Sequence, residues 1–251
     1  MEVQDHLNIF ESLGLGDMSK VSLMNRQDTK YVFDDSKIYD VLEKLSKYYK
    51  ILEIDGLRQM SYSNIYFDTD DFHFFNHHQR GKSNRYKIRN RQYDNSDLAF
   101  CEVKFKTNKE RTVKNRQKIL SLMEEYDASS KDFLKDVCPV PVEDLKAKVF
   151  MRFDRITLVH KEWKDRCTLD MNLTATNKDK EFEFKGLVIA EIKQDKFTPQ
   201  CDFNLVLKSE NIYPDSFSKY AMSTIKLYPE LKNNRFKPRW LMLDKLLKNH
   251  K

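Results

Sequence analysis

Arg85, Lys87, Arg89 and Arg91 occupy every second position of the stretch NRYKIRNRQY. Successive side chains of a β-strand point to opposite faces, so as a strand this stretch carries four cations on one face. Neighbours there sit ~7 Å apart, where like charges repel by roughly 0.6 kcal/mol in water and several-fold more when partly buried. An ordinary sheet surface intersperses both signs to relieve that repulsion. The row therefore demands a neutralising partner.

Other segments repeat the pattern. CEVKFK sets Glu102, Lys104 and Lys106 on one face and Cys101, Val103 and Phe105 on the other. DRCTLD aligns Arg166, Thr168 and Asp170, AEIKQD aligns Glu191, Lys193 and Asp195, and RQDTK aligns Arg26, Asp28 and Lys30. Solvated outer faces of an antiparallel sheet explain CEVKFK, but explain the unrelieved row Arg85–Arg91 poorly. If the strands close into a barrel, the same faces line a wide, wet lumen that attracts a polyanion, with Glu102 and Glu191 orienting cations or holding a metal.

The chain has 251 residues and 45 basic against 39 acidic residues, so any anion-binding capacity comes from local clustering. On the cation face of NRYKIRNRQY only Tyr93 is aromatic, which argues against nucleic-acid bases and for phosphate without bases. P-loop, GxSxG, HExxH and kinase signatures are absent. Cys101, Cys138, Cys167 and Cys201 show no CxxC or metal spacing, a pattern that suits a reducing cytosol. The N-terminus MEVQDHLNIF has no apolar signal core, and no apolar run approaches the roughly 18 residues of a membrane span. The expectation is a soluble cytoplasmic protein, with docking on a membrane-protein partner left open.

Hydrophobic periodicity predicts a helix in DDSKIYDVLEKLSKYY, others in DSFSKYAMSTIKLY and PRWLMLDKLLKNH, and a helical, irregular stretch over 109–137 with KILSLMEEY its best piece. Strands are expected in NRQDTKYVF, MSYSNIYFD, the basic stretch, LAFCEVKFK, KVFMRFDRITLVH, DRCTLDMNLTAT and EFEFKGLVIAEIKQ. Together they predict an α+β fold built on a large antiparallel sheet or barrel flanked by helices. One domain over 1–251 is expected, with a core at about 20–230 and a C-terminal helix at about 236–249. FDTDDF lacks the glycine and glutamate of a calcium loop and reads as a turn. His77 and His78 cannot both face one site on a strand, Ser218 and Lys219 diverge on a helix, Glu181 and Glu183 read as surface residues, and Trp163 and Trp240 as packing residues.

YFDT at 66–69, then Phe75, His78 and Gly81, then RxKxRxRxY at 85–93 resemble the VTC (vacuolar transporter chaperone) domain. That domain is the polyphosphate polymerase branch of the triphosphate tunnel metalloenzyme superfamily. DTKY, CEVKFK, FDR, DRCTLD, AEIK and FSKY extend the ordered match from about residue 24 to 220, and NRFKPRW resembles bacterial members. The resemblance implies an antiparallel strand tunnel that binds ATP and polyphosphate, passes the γ-phosphoryl of ATP to a growing chain and releases ADP. It implies phosphate contacts from Lys30, Arg89, Arg91, Lys104, Arg155, Arg166 and Lys219. Arg85, Lys87 and His78 would be further tunnel cations, Lys193 a further substrate contact and Ser218 a hydroxyl donor, with Mn²⁺ or Mg²⁺ on Glu191. NRQDTKY stands where the hydrolase and cyclase branch has an ExExK strand, which favours the polymerase branch. Ser216 stands where the polymerase pattern has a lysine. The alternatives are a triphosphatase of the same fold and a non-catalytic module for polyphosphate or an inositol phosphate.

Overall fold

The computed structural model describes residues 3–21, 27–108, 112–196 and 198–250. Among these, twelve strands form one sheet: β1 Ser12–Leu13, β2 Gln27–Asp34, β3 Tyr49–Leu52, β4 Gln59–Asp68, β5 Arg85–Tyr93, β6 Leu98–Lys106, β7 Thr112–Ile119, β8 Lys146–His160, β9 Arg166–Thr176, β10 Glu181–Glu183, β11 Leu187–Gln194 and β12 Pro214–Asp215. The helices are α1 Val3–Leu7, α2 Ile38–Ser46, α3 His73–Gln79, α4 Ala128–Val137, α5 Asp202–Ser209, α6 Lys219–Leu227 and α7 Lys237–Leu246. The main path runs β12-β2-β11-β9-β8-β4-β5-β6-β7 with antiparallel pairing throughout. β10 joins β9, β3 joins β8, and β1 runs parallel to β3. The fold is α+β, as expected, and the hydrogen-bonded path is open, ending at β12 and β7.

The sheet curls strongly. In a flat sheet Lys30 on β2 and Lys104 on β6, six strands along the path, would stand about 29 Å apart. Instead Lys104 lies close enough to depress the pKa of Lys30. Packing on both faces holds the curl. The convex side buries Tyr31, Phe33, Leu158, Leu169 and Ile192 against Leu42 of α2 and Phe203 of α5. Further along, Ile65, Phe67, Ile88 and Val103 pack on Leu134 of α4. At one end of the concave side Tyr66, Met151, Phe153 and Ile189 pack against Tyr220, Ala221 and Met222 of α6 and Leu243 of α7. Each fully buried large apolar side chain contributes roughly 1.5–3 kcal/mol.

Local chemistry sets several element boundaries. Asp34 caps the short 3₁₀ turn Asp35–Lys37 by accepting from the Ser36 amide, and α2 follows with Ile38, Val41, Leu42 and Leu45 buried. Tyr49, read as the end of that helix, belongs to β3. KILSLMEEY is not helical: Lys118 and Ile119 end β7, the rest is bends and loop, and the helix of this region is α4, capped by Asp127. Asp215 pairs in β12, so α6 starts later than its sequence pattern suggests, with Ser218 as its N-cap.

FDTDDF is the expected turn, and its first acid has a larger role. Asp68 is fully buried at the end of β4. Its carboxylate accepts from the amides of Thr69, Phe74 and Phe75 at 2.9 Å each, which caps α3, and from the Tyr220 hydroxyl at 2.6 Å, which ties α6 to the sheet. Replacing it strands buried donors on two helices. Asp68→Ala is expected to cost about 3 kcal/mol, read as a lower urea midpoint with an unchanged m-value.

Candidate functional site

The alternation of β5 turns Ile88 and Asn90 to the convex side and Arg85, Lys87, Arg89 and Arg91 to the concave side. β6 lies beside it in register, placing Glu102 opposite Arg89 and Lys104 opposite Lys87. Arg89 donates from Nε to Glu102 at 2.7 Å and from Nη1 to the Tyr66 hydroxyl at 3.1 Å. Burial works against its charge, but Tyr66 and Glu102 outweigh that and hold it protonated. Arg91 donates from Nε to Asn64 Oδ1 at 3.0 Å and lies 5.3 Å above the Tyr62 ring. Burial and its neighbour Arg89 weaken its hold on the proton.

Three other walls bring cations to the same space. From β8, Arg155 grips Asp170 of β9 with Nε at 2.6 Å and Nη2 at 2.8 Å. Lys219, at the start of α6, pairs with the same carboxylate and sits 4.3 Å over Phe153. Burial opposes the charge of Asp170, yet Arg155 and Lys219 hold its pKa well below the usual carboxylate range. Tyr62 stacks on Phe153 with centroids 5.3 Å apart, and Arg155 lies 5.0 Å above the Tyr62 ring. Across the cavity Glu191 of β11 pairs with both Lys30 of β2 and Lys193 of its own strand. Arg166 is among the charges that depress Lys193. Lys87 donates to Ser218 Oγ at 3.0 Å, and that hydroxyl also accepts from the Ala221 amide at 3.2 Å, so its own proton is the part left to donate.

The carboxylates do not satisfy this cluster. Lys87 is pushed down to about 7, by burial first and then by Lys104, Arg89 and Arg85. Lys193 is also pushed down to about 7, by burial and Arg155, and Lys30 falls well below its ordinary value through burial, Lys193 and Lys104. Such shifts record cations crowded in a poorly solvated space without enough negative charge. His78 belongs to α3 rather than a strand, and burial with Lys87, Arg85 and Arg235 around it pushes it down to about 3. Its buried Nδ1 has no partner among the described residues.

Sequence reasoning missed an outer row. β7 pairs with β6 so that Lys114 faces Lys104 and Arg116 faces Glu102, placing Lys114, Arg116 and Lys118 on the concave face, with Arg116 5.0 Å above Phe100. The alternation K-x-R-x-K in TVKNRQKI was the available signal, hidden by the helical reading of that region. Tyr62, Tyr66 and Phe153 were missed as supports because they come from β4 and β8, not from the basic strand itself. Glu181 and Glu183 lie exposed on β10, and Arg26 falls outside the described residues. Ser216 touches Arg239 of α7, whose other nitrogen bonds Asp215 at 2.6 Å, so a cation from elsewhere reaches the position where the lysine is absent.

The expected ligand of a divalent cation is Glu191. Both oxygens of Glu191 are held by ammonium groups. Among the described residues the three metal-ligating side chains able to converge on one ion are Asp34, Asp35 and His250, at the far end of β2. Glu191 fits a hard cation whose remaining ligands are oxygens brought in by an anionic ligand.

No helix among the described residues is long and apolar enough to cross a membrane. No curated protein matches the chain. Among solved structures, a Hippeastrum protein described as an adenylyl cyclase with a dominant triphosphatase activity matches with TM-score 0.51 at 14% identity, over 81% of this chain and 97% of that one. A protein of Pyrococcus furiosus matches at 12% identity and TM-score 0.41, over 76% of this chain and 98% of its own, and one of Pyrococcus horikoshii at 13% and 0.38, over 74% and 87%. The first of these shares the fold. The family model for the VTC domain matches residues 25–228, the span that supplies every wall of the cationic cavity, and the chain belongs to the VTC domain family.

Proposed function

We propose that the protein is a polyphosphate polymerase, transferring the γ-phosphoryl group of ATP to the end of a polyphosphate chain in the cationic tunnel and releasing ADP. The carrying observation is the convergence of Lys30, Lys193, Arg155, Lys219 and the β5 row on one space, where these eight cations outnumber Asp28, Glu102, Asp170 and Glu191 by two to one. Phosphoryl transfer needs positioning and charge neutralisation more than a protein nucleophile. Arg89, Arg91 and Arg155 offer planar grips held in place by Glu102, Asn64 and Asp170, while Lys30, Lys87 and Lys219 act as mobile point charges. A terminal phosphate oxygen of the chain attacks the γ-phosphorus, and the bond to the β-phosphate oxygen breaks.

Two features favour transfer to a chain over hydrolysis. Glu191 and Asp170 are each held by two cations and Glu102 by Arg89, which makes them poor bases for activating water. An anionic phosphate acceptor needs no such base. The row from Arg85 to Arg91 spans ~20 Å along β5, and β7 adds Lys114, Arg116 and Lys118 beside it, a longer track than a triphosphate occupies. Of the aromatic rings on this face, Tyr62, Tyr66 and Phe153 are buried beside cations, which leaves these three unavailable to stack on bases. Glu191 would hold Mn²⁺ or Mg²⁺ together with phosphate oxygens, and the ion would neutralise charge on the transferred group.

Purified protein incubated with ATP and Mn²⁺ is expected to give long polyphosphate chains on a gel, lost in Arg89→Ala and Glu191→Gln. Free orthophosphate as the main product would identify a triphosphatase instead. Chain binding without either product would identify a binding module.

The depressed lysines give a second expectation. A bound polyanion restores the charged form of Lys87 and Lys193, so tripolyphosphate binding at pH 8 takes up protons and weakens as pH rises above about 7. Calorimetry in buffers of different ionisation enthalpy reads that uptake. Zero uptake at pH 8 would contradict the cavity's role in binding.

A further inference from the structure

Thr168 occupies the middle of β9, between two of the tunnel's charged clusters. Cys167 and Leu169 point outward into the convex core, which leaves Arg166, Thr168 and Asp170 on the concave face. Thr168 pairs in register with Glu191 on β11 and Thr157 on β8. On one side lies the Lys30–Glu191–Lys193 group and on the other the Arg155–Asp170–Lys219 group. Thr168 is 4% exposed, and its Oγ1 has no hydrogen-bond partner among the described residues.

A buried hydroxyl without a partner makes a strand less stable than valine of the same shape would. Packing therefore does not explain threonine here. Neither the carboxylates of Glu191 and Asp170, which each hold two cations, nor the Thr157 hydroxyl on β8 is a hydrogen-bond partner of Thr168 Oγ1. Nearby lysines and arginines are donors only. What the hydroxyl proton lacks is an acceptor in hydrogen-bonding position, and an anionic phosphoryl oxygen in the cavity would supply one. Other unpaired buried atoms are placed differently. Ser130 lies on α4, Tyr126 packs in the convex cluster under β4 and β6, and Asn64 already anchors Arg91 through Oδ1.

We propose that Thr168 is an uncharged substrate contact, donating its hydroxyl proton to a phosphoryl oxygen of the polyanion held between Lys30, Lys193 and Lys219. The proposal rests on the tunnel reading given above and adds a directional element to it. Lysine ammonium groups are mobile and neutralise charge without fixing position. A β-branched threonine has restricted χ1 freedom on a strand, so its hydroxyl marks one point along the tunnel. The contact would set where a phosphoryl group rests beside Glu191.

The test compares wild type, Thr168→Val and Thr168→Ser by calorimetric titration with tripolyphosphate in EDTA, with thermal melts of the free proteins. Thr168→Val is expected to bind about tenfold or more weakly while melting at the wild-type temperature or above. Thr168→Ser, which keeps the hydroxyl, is expected to stay within about twofold of wild-type affinity. Wild-type affinity in Thr168→Val would overturn the contact. So would a lowered melting temperature in Thr168→Val with no rescue by serine, which would mark a structural hydroxyl. Wild-type protein that binds no tripolyphosphate would overturn the tunnel reading itself, and this contact with it.

Discussion

Crowding of like charge on the concave face governs the rest of the molecule. Arg85, Lys87, Arg89 and Arg91 share that face of β5, and the curl of the sheet brings Lys30, Lys193, Arg155 and Lys219 toward them. Two devices limit the repulsion. Asp170 and Glu191 are each shared by two cations, and Glu102 secures Arg89. Tyr62 and Phe153 underlie Arg91, Arg155 and Lys219, stabilising positive charge without adding a negative one. Aromatic support leaves the outer edges of the guanidinium groups available, which a full set of carboxylates would not.

The residual imbalance appears in Lys87 and Lys193, both depressed to about 7. A bound anion would relieve that imbalance. The apolar clusters on the convex face and α6 on the concave face hold the strands curled against this repulsion. Asp68 belongs to the same device, because its bond to Tyr220 fixes the start of α6, where Ser218 and Lys219 enter the cavity.

Much of this was legible in the sequence. The period-two alternation of β5, β6, β9 and β11 gave both the strands and the faces that their charges share. Strand β7 was obscured because Ile119, Leu120, Leu122 and Met123 imitate a helical stripe, whereas Leu120 is 91% exposed at the end of an edge strand. The surroundings of His78 could not be read from its neighbours in the chain, since the burial and the cations Lys87, Arg85 and Arg235 that lower its pKa arise from the fold. Tyr62, Asn64 and Asp68 act on residues far away in sequence, and no local pattern announces such partners. The acids were visible as partners of cations, but which acid serves which cation followed only from strand order and register.

The central claim is that a linear phosphate polyanion completes the charge balance of the concave face. A crystal structure of the protein grown with tripolyphosphate tests it most directly. The account predicts one tripolyphosphate running between the β2–β11 wall and the β5–β6 wall, within hydrogen-bonding distance of Lys30, Arg89, Arg91 and Lys219. An empty concave face, with the anion bound elsewhere or absent, would contradict it.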